Sequence, residues 1–369
     1  MKKSYFSAGA SLVEPLESRM FLSASGPSLT VANLDVLPGP ERMVFSRIQR
    51  QPPSPEPGPG GKIVQPPDNV VHDKATLQLG NSGNAPLIIS SMAINGPWKI
   101  INSQAKTIAP GGTTDIQIQF VAQSEPPHTY NETNGTENPN SGGAWQGSLM
   151  VTTNDPHNKT YTEQLAGWWQ FQSEASEEPS LQSIVNLLMN YKTNISPTLL
   201  NTLPEPNNMR KLYGEETLSY YWKAANPSHS VQVRAIASYH AQGNPVVLSW
   251  YPKGQRSGPT ITTTAGVMGQ SLLPDEQGNL NAPAQGNFSP GTGAFGFKID
   301  YEHSDDTQNS FGGGGHHIRF YPVRDHTGAI IPNTYFMALD YSTGPSAVGE
   351  NFDFNDQVYI ITNVEPDGL

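Results

Sequence analysis

The run Asp115-Ile116-Gln117-Ile118-Gln119-Phe120 places an apolar side chain at every second position and a polar or charged one between. Successive side chains of an extended chain point to opposite faces, so Ile116, Ile118 and Phe120 share one face. A helix would scatter them. Related runs recur at 76–79, 87–89, 147–151 and 161–165. Turn formers separate them: Gly80-Asn81-Ser82-Gly83-Asn84, Pro110-Gly111-Gly112 and Asn154-Asp155-Pro156. This pattern predicts antiparallel sheets with one face of each strand buried. After Pro227 the strand signal returns at 231–235, 246–251, 295–299, 317–321, 335–339 and 358–361. Six such runs suffice for a second sandwich. The expected class is all-β, with two antiparallel β-sandwich domains joined by a short helical segment.

The helical expectation rests on Leu181, Ile184, Val185, Leu188 and Met189. Their spacing of i, i+3, i+4, i+7, i+8 makes one apolar stripe. Glu177-Glu178-Pro179-Ser180 stands where a helix N-terminus should be. The stripe is expected to pack on a β-domain. A second short helix is expected near residues 215–222.

Composition narrows the function classes. The chain has 369 residues, with Lys+Arg 21 against Asp+Glu 32 and a formal net charge of −11. Nucleic-acid affinity rests on neutralising phosphates, so this balance argues against a nucleic-acid partner. No cysteine is present, which excludes disulfides, thiolate metal sites and a cysteine nucleophile. The 35 glycines and 33 prolines suit many turns. No stretch approaches the ~18 apolar residues of a membrane span. Lys2 and Lys3 look like the start of a secretory signal, but the apolar stretch at 8–13 is short and Glu14-Pro15 interrupts it. Two insertions stand out. Residues 51–67 are rich in Pro and Gly and read as an extended segment. Residues 122–145 form a polar connection far longer than a hairpin loop, read as disorder. Its Asn131-Glu132-Thr133 and Asn134-Gly135-Thr136 are read as polar loop chemistry.

No catalytic residue is singled out. Gly291-Thr292-Gly293-Ala294-Phe295-Gly296 has the spacing of a dinucleotide loop, but a strand pattern follows it where a helix is required, so it reads as a turn. Gly312 to Gly315 followed by His316-His317 reads as a glycine loop entering a strand. Adjacent strand residues point apart, so the two histidines cannot chelate on one face. Asp353, Asn355 and Asp356 gather hard oxygen ligands before the last strand pattern, with Asp340, Glu350, Asp300, Asp305 and Asp306 as candidates to join them. Calcium takes six to eight such oxygens, and Asx turns would use the same residues. Calcium is the one cofactor these residues suggest, with Asx turns as the competing reading. Trp145, Trp168, Trp169, Trp222 and Trp250, with Tyr220 and Tyr221, could line a sugar platform, Trp222 and Trp250 being the candidate glycan-binding residues. Strand aromatics also serve as core, and one of Trp168 and Trp169 is expected to seal an interdomain contact.

Three phrases resemble known families. Glu14-Pro15-Leu16-Glu17-Ser18-Arg19-Met20-Phe21-Leu22-Ser23-Ala24 resembles the L-E-P-L-E-x-R-x-L-L-S-A sorting motif at the N-termini of many bacterial surface and secreted proteins. The matching residues are Glu14, Pro15, Leu16, Glu17, Arg19, Leu22 and Ser23. Leu79-Gly80-Asn81-Ser82-Gly83-Asn84-Ala85-Pro86-Leu87-Ile88-Ile89 is similar to the opening of Hydin-type and choice-of-anchor-D Ig-like modules. Thr107-Ile108-Ala109-Pro110-Gly111-Gly112, Thr153-Asn154-Asp155-Pro156 and Leu165-Ala166-Gly167 continue that likeness over about residues 70–168. Asn351-Phe352-Asp353-Phe354-Asn355-Asp356-Gln357-Val358 is similar to the D-x-D-[FY]-N-D-x-V close of a bacterial extracellular domain of unknown function, with Asn351 departing at its first acidic position.

Together with the strand and helix patterns, these resemblances give the following expected layout: a disordered export or sorting segment at 1–28, an Ig-like module at 29–170, a linker with the amphipathic helix at 171–225, and a jelly-roll-like domain at 226–369. They imply a non-catalytic structural or adhesion protein, extracellular or at the surface of a bacterium. The expected partners are other envelope or matrix proteins or polysaccharide. The competing expectation is a carbohydrate-binding module or a polysaccharide-acting enzyme, since carboxylates are plentiful.

Overall fold

The structure, a computed structural model, describes residues 26–39, 41–48, 72–102, 106–127, 143–171, 178–195, 212–240, 243–309, 315–341 and 353–368. The sorting-type motif, the Pro-rich insert 51–67 and the centre of the 122–145 connection lie outside these residues. The described chain is all-β, and its strands form four sheets. No helix among the described residues is long and apolar enough to cross a membrane.

The first nine strands are β1 (Leu29–Asn33), β2 (Arg42–Ile48), β3 (Lys74–Asn81), β4 (Leu87–Asn95), β5 (Trp98–Ile100), β6 (Thr107–Ile108), β7 (Thr113–Phe120), β8 (Gly143–Thr153) and β9 (Thr160–Gln170). One sheet runs β1-β3-β7-β5 and the other β2-β9-β8-β4-β6. The alternating residues meet between them: Leu77 and Leu79, Ile116, Ile118 and Phe120, Leu149 and Val151, and Leu165 share one core with Phe45 and Trp98. The chain changes sheet between β1, antiparallel to β3, and β2, parallel to β9. Gly167 leaves room for the Phe120 ring of the facing sheet, because a Cβ there would lie 2.8 Å from that ring.

The remaining strands are β10 (Tyr221–Ala224), β11 (Val231–Tyr239), β12 (Val246–Pro252), β13 (Thr260–Thr264), β14 (Gln270–Leu272), β15 (Asp275–Glu276), β16 (Asn279–Pro283), β17 (Gln285–Phe288), β18 (Phe295–Ile299), β19 (Glu302–His303), β20 (Ile318–Arg324), β21 (Ile330–Leu339), β22 (Gln357–Thr362) and β23 (Val364–Gly368). A sheet ordered β16-β15-β13-β12-β18-β10-β23, with β19 on β18, faces a sheet ordered β14-β11-β22-β21-β20, with β17 on β11. Phe295, Phe297, Phe320, Met337, Leu339, Tyr359 and Ile361 fill the space between.

The β14–β20 sheet is covered on both faces. Phe320, Met337 and Tyr359 point into its own sandwich. Tyr321, Phe336, Ala338 and Val358 point the other way, into a second core. That is why 336–339 and 358–361 are almost continuously apolar instead of alternating. The second core also takes Val44, Ala166 and Trp168 of the first unit, and it is centred on the predicted helix. Leu181, Ile184, Val185, Leu188 and Met189 are all buried there. The stripe therefore wedges between the two units. The turn is π-helical over Ser183–Leu188, with the Met189 amide donating to the Ile184 carbonyl at 3.0 Å. The Ser180 hydroxyl accepts from the Ser183 amide at 3.2 Å at its start. Arg42 closes its end, donating to the carbonyls of Leu187 (2.8 Å) and Leu188 (3.0 Å), which no helical amide reaches.

The helix expected near 215–222 does not form. Residues 212–220 carry no helix and Tyr221–Ala224 is β10. Its pairing with β18 and β23 and the complete burial of Trp222 outweigh any local helical spacing. The strand order of the second unit thus takes in residues from 221 onward.

Candidate functional site

The densest group of buried charges in the described chain joins three segments. Glu216 comes from the stretch before β10, Asp306 from a single 3-10 turn after β19, and His316 and Arg319 from the entry to β20. His316 Nδ1 lies 2.9 Å from Asp306 Oδ1, and its Nε2 lies 2.7 Å from Glu216 Oε1. Arg319 Nη1 donates to Glu216 Oε2, which also accepts from the Tyr213 amide at 3.0 Å. The guanidinium lies over the rings of Phe354 (4.6 Å) and Tyr213 (5.0 Å).

All four side chains are buried. Burial alone would drive His316 down, but the hydrogen bonds to Asp306 and Glu216 overcome it and raise its affinity for a proton. Burial alone would raise Glu216, but His316 and Arg319 hold it below the usual carboxylate range. The result is two cations matched by two carboxylates. With both ring nitrogens engaged by carboxylates, His316 has no lone pair to offer a substrate or a metal. The arrangement locks segments together.

Neighbouring groups extend this polar layer. The Tyr221 hydroxyl donates to Asp305 Oδ2 at 2.5 Å, and Asp305 Oδ1 accepts from the Thr307 amide. Lys253 Nζ lies 4.6 Å from the centre of the Tyr221 ring and pairs with Asp367 at 3.2 Å. His303 is buried against Tyr251, ring centres 5.2 Å apart, and burial pushes it down to about 4, so it is neutral.

The acidic residues noted in the sequence divide between two places. Asp300, Glu302, Asp340 and Asp356 all act on Tyr301, whose hydroxyl is pushed up to about 12 by burial and then by these charges. Tyr341 ties two of them together: its hydroxyl donates to Asp300 Oδ2 at 2.5 Å and its amide to Asp356 Oδ2 at 2.6 Å. Asp305 and Asp306 are engaged with Tyr221 and His316 instead. Asn355 is buried and donates to the Pro179 carbonyl at 2.9 Å, and Asp353 is half-buried. No group of three or more His, Asp or Glu placed to hold a metal ion occurs among the described residues. Glu350 and Asn351 lie outside them.

The two histidines of the doublet part company, as their adjacency requires: His316 meets Glu216 and Asp306, while His317 Nδ1 lies 3.2 Å from the Asp340 carbonyl. The glycine-rich phrase at 291–296 is a turn leading into β18. Trp222 has no exposed surface, its ring packed 4.6 Å from Phe320 and 4.7 Å from Tyr335. Trp250 is half-buried on β12 and stacks on Phe288 at 4.9 Å and 15°. Trp168 lies in the core shared by the two units, and Trp169 in the core of the first. Sequence reasoning had singled out the His316 doublet but missed Glu216, which stands 100 residues away and carries no local signal.

No family model matches the sequence, and no curated protein matches it. Among solved structures, a protein of unknown function from Porphyromonas gingivalis is similar with a TM-score of 0.23 and 15% identity, over 39% of this chain and 48% of that one. The secreted serine protease VesC from Vibrio cholerae gives 0.20 and 10%, over 80% and 47%. The Pseudomonas aeruginosa CupB2 chaperone gives 0.22 and 11%, over 72% and 95%. The chain spans about half the length of the first two.

Proposed function

We propose that this chain is an exported bacterial β-protein with a structural or adhesive role at the cell surface or in an extracellular matrix. It would comprise an Ig-like module followed by a jelly-roll-like one. The observation that carries the reading is the sorting-type phrase from Glu14 to Ala24, standing ahead of an all-β chain. The wedged core supports a load-bearing role, since Leu181, Ile184, Val185 and Leu188 pack with both units at once. Cell fractionation tests the reading. The full chain is expected in the surface or culture fraction, and a chain lacking residues 14–24 is expected to stay inside the cell. Recovery of the full chain from the cytoplasm with residues 1–28 intact would overturn it.

A glycan-binding role is favoured by one feature, the half-buried Trp250 with Phe288 stacked against it. Stacked rings that keep some exposure can hold a sugar face. A glycan array read beside a hydrolase assay separates the cases: binding lost in Trp250→Ala supports a binding module, turnover an enzyme, and neither leaves the structural role.

A further inference from the structure

The chain crosses from one sheet of the first unit to the other at Asn95-Gly96-Pro97, between β4 and β5. Asn95 and Gly96 are exposed, while Trp98 just beyond them is buried in the core. Gly96 has a φ of +78°, and a Cβ on it would lie 2.5 Å from the Trp98 ring, so the turn itself calls for glycine after Asn95. Asn95 Oδ1 accepts from the Ser148 amide of β8 at 2.6 Å. Gly147 presses on the same turn: a Cβ there would lie 2.6 Å from the Asn95 carbonyl oxygen. The Pro97 carbonyl accepts from the Val121 amide at 2.7 Å, which fixes the far side.

We propose that Asn95 is a self-modification site: the Gly96 backbone nitrogen converts its side-chain amide to a carboxylate, and the fold directs the product to normal aspartate. The Gly96 nitrogen and Asn95 Cγ are separated by three bonded atoms, so a bond between them closes a five-membered ring. Gly96 has no Cβ to obstruct that closure. Hydroxide from the solvent takes the Gly96 amide proton, and the nitrogen attacks Cγ. The N–Cγ bond forms, the Cγ–Nδ2 bond breaks, and Nδ2 leaves as ammonia with a proton from water. Water then adds to the cyclic imide and reopens it, returning a proton to the Gly96 nitrogen. The net change is amide plus water to carboxylate plus ammonium, with nothing oxidised or reduced.

Ser148 sets the direction. Its amide sits on Oδ1, the oxygen that gains charge when Cγ is attacked, so a fixed backbone donor stabilises that charge in both steps. Water can reopen the imide at either carbonyl. Attack at Cγ restores the normal chain, and attack at the former backbone carbonyl leaves isoaspartate, with the chain running through Cβ. The Ser148 amide polarises the Cγ carbonyl. Isoaspartate would also add a backbone atom to a turn pinned by Gly147, Trp98 and Val121. The new carboxylate keeps the Ser148 amide as a charge-assisted partner. Conversion therefore preserves the turn and adds a permanent negative charge at an exposed position, in a chain whose net charge is already −11. It needs no enzyme or cofactor, and the converted fraction rises with the age of the molecule.

Incubation of the full chain in mildly alkaline buffer, folded and in urea, tests this. Peptide mapping with electron-transfer fragmentation reads conversion at Asn95 and separates aspartate from isoaspartate. In urea, where Ser148 is no longer held against Oδ1, isoaspartate is expected to be the main product. In the folded chain Asn95 is expected to convert with aspartate as the main product, a reversal of the ratio. Asn95→Gln, which cannot close the five-membered ring, should lose the conversion, and Asn95→Asp should melt at the wild-type temperature. A folded Asn95 that stays unconverted while the urea sample converts would overturn the proposal. So would isoaspartate as the main folded product, or a lower melting temperature in Asn95→Asp.

Discussion

Glu163 stands on the inward face of β9, directly opposite Leu149, at a position where the alternation calls for an apolar side chain. It is fully buried; Tyr161 donates to its Oε2, and its Oε1 has no partner among the described residues. Burial raises the carboxyl to about 8, against the opposing effects of the Tyr161 hydrogen bond and Arg42. A raised carboxyl contributes stability that is fully present below its ordinary value of 4.5 and lost as pH rises through 8. Glu163→Gln is therefore expected to stabilise the chain by about 2 kcal/mol at pH 9 and little at pH 5. Melting temperatures of both proteins at the two pH values check this. The Glu216 network has a different profile. The His316 contribution is present below 6.5 and lost as pH rises through its raised value. The Glu216 contribution is present above 4.5 and lost as pH falls through its lowered value. Glu216→Gln leaves buried cations without their counter-charge and is expected to cost about 3–5 kcal/mol. Urea midpoints should show the largest difference from wild type between pH 4.5 and 6.5.

Among the elements, the π-helical turn depends most on distant help. Six residues are too few for a helix to hold by itself. Its apolar stripe was legible in the sequence, because a period near 3.6 is a local property. The cap was not: Arg42 lies about 145 residues away and looks like any strand arginine. Arg42 also donates to Gln164 Oε1 at 2.9 Å and to Gln146 Oε1 at 3.4 Å, so its planar fork serves four acceptors at once. Arg42→Lys supplies the charge without the fork and is expected to lose about 1–2 kcal/mol, with Arg42→Ala losing more. Denaturant unfolding of the pair measures both. The free edge of β20 is managed in the same way. The Thr217 amide donates to the Phe320 carbonyl at 2.8 Å, and the Lys192 amide to the Arg324 carbonyl at 3.0 Å. Segments 192–193 and 217 thereby cover an edge that would otherwise invite another strand.

At the scale of the whole molecule, the wedge joins the two β-units through one shared core. Leu188 is buried in the core that contains residues of both. Leu188→Ala is expected to cost about 2–5 kcal/mol. Leu188→Asp, which places a charge in that core, is expected to split a single calorimetric transition into two. Persistence of one transition in a folded Leu188→Asp protein would show that the units couple by other contacts. The sequence by itself determined where most strands run, because alternation and turn formers act between residues a few positions apart. Runs 115–120, 147–151, 231–235 and 335–339 all lie in strands. The same local information left β10 to be read as helix, since Tyr221–Ala224 alternates too little to stand out. Only the tertiary structure decided the order of the sheets, the covering of the β14–β20 sheet on both faces, and which charges meet. Glu216 finds His316 across 100 residues and Arg319 across 103. Charge pairing depends on closeness in space and on the exclusion of water, and neither is written in the spacing of residues along a chain.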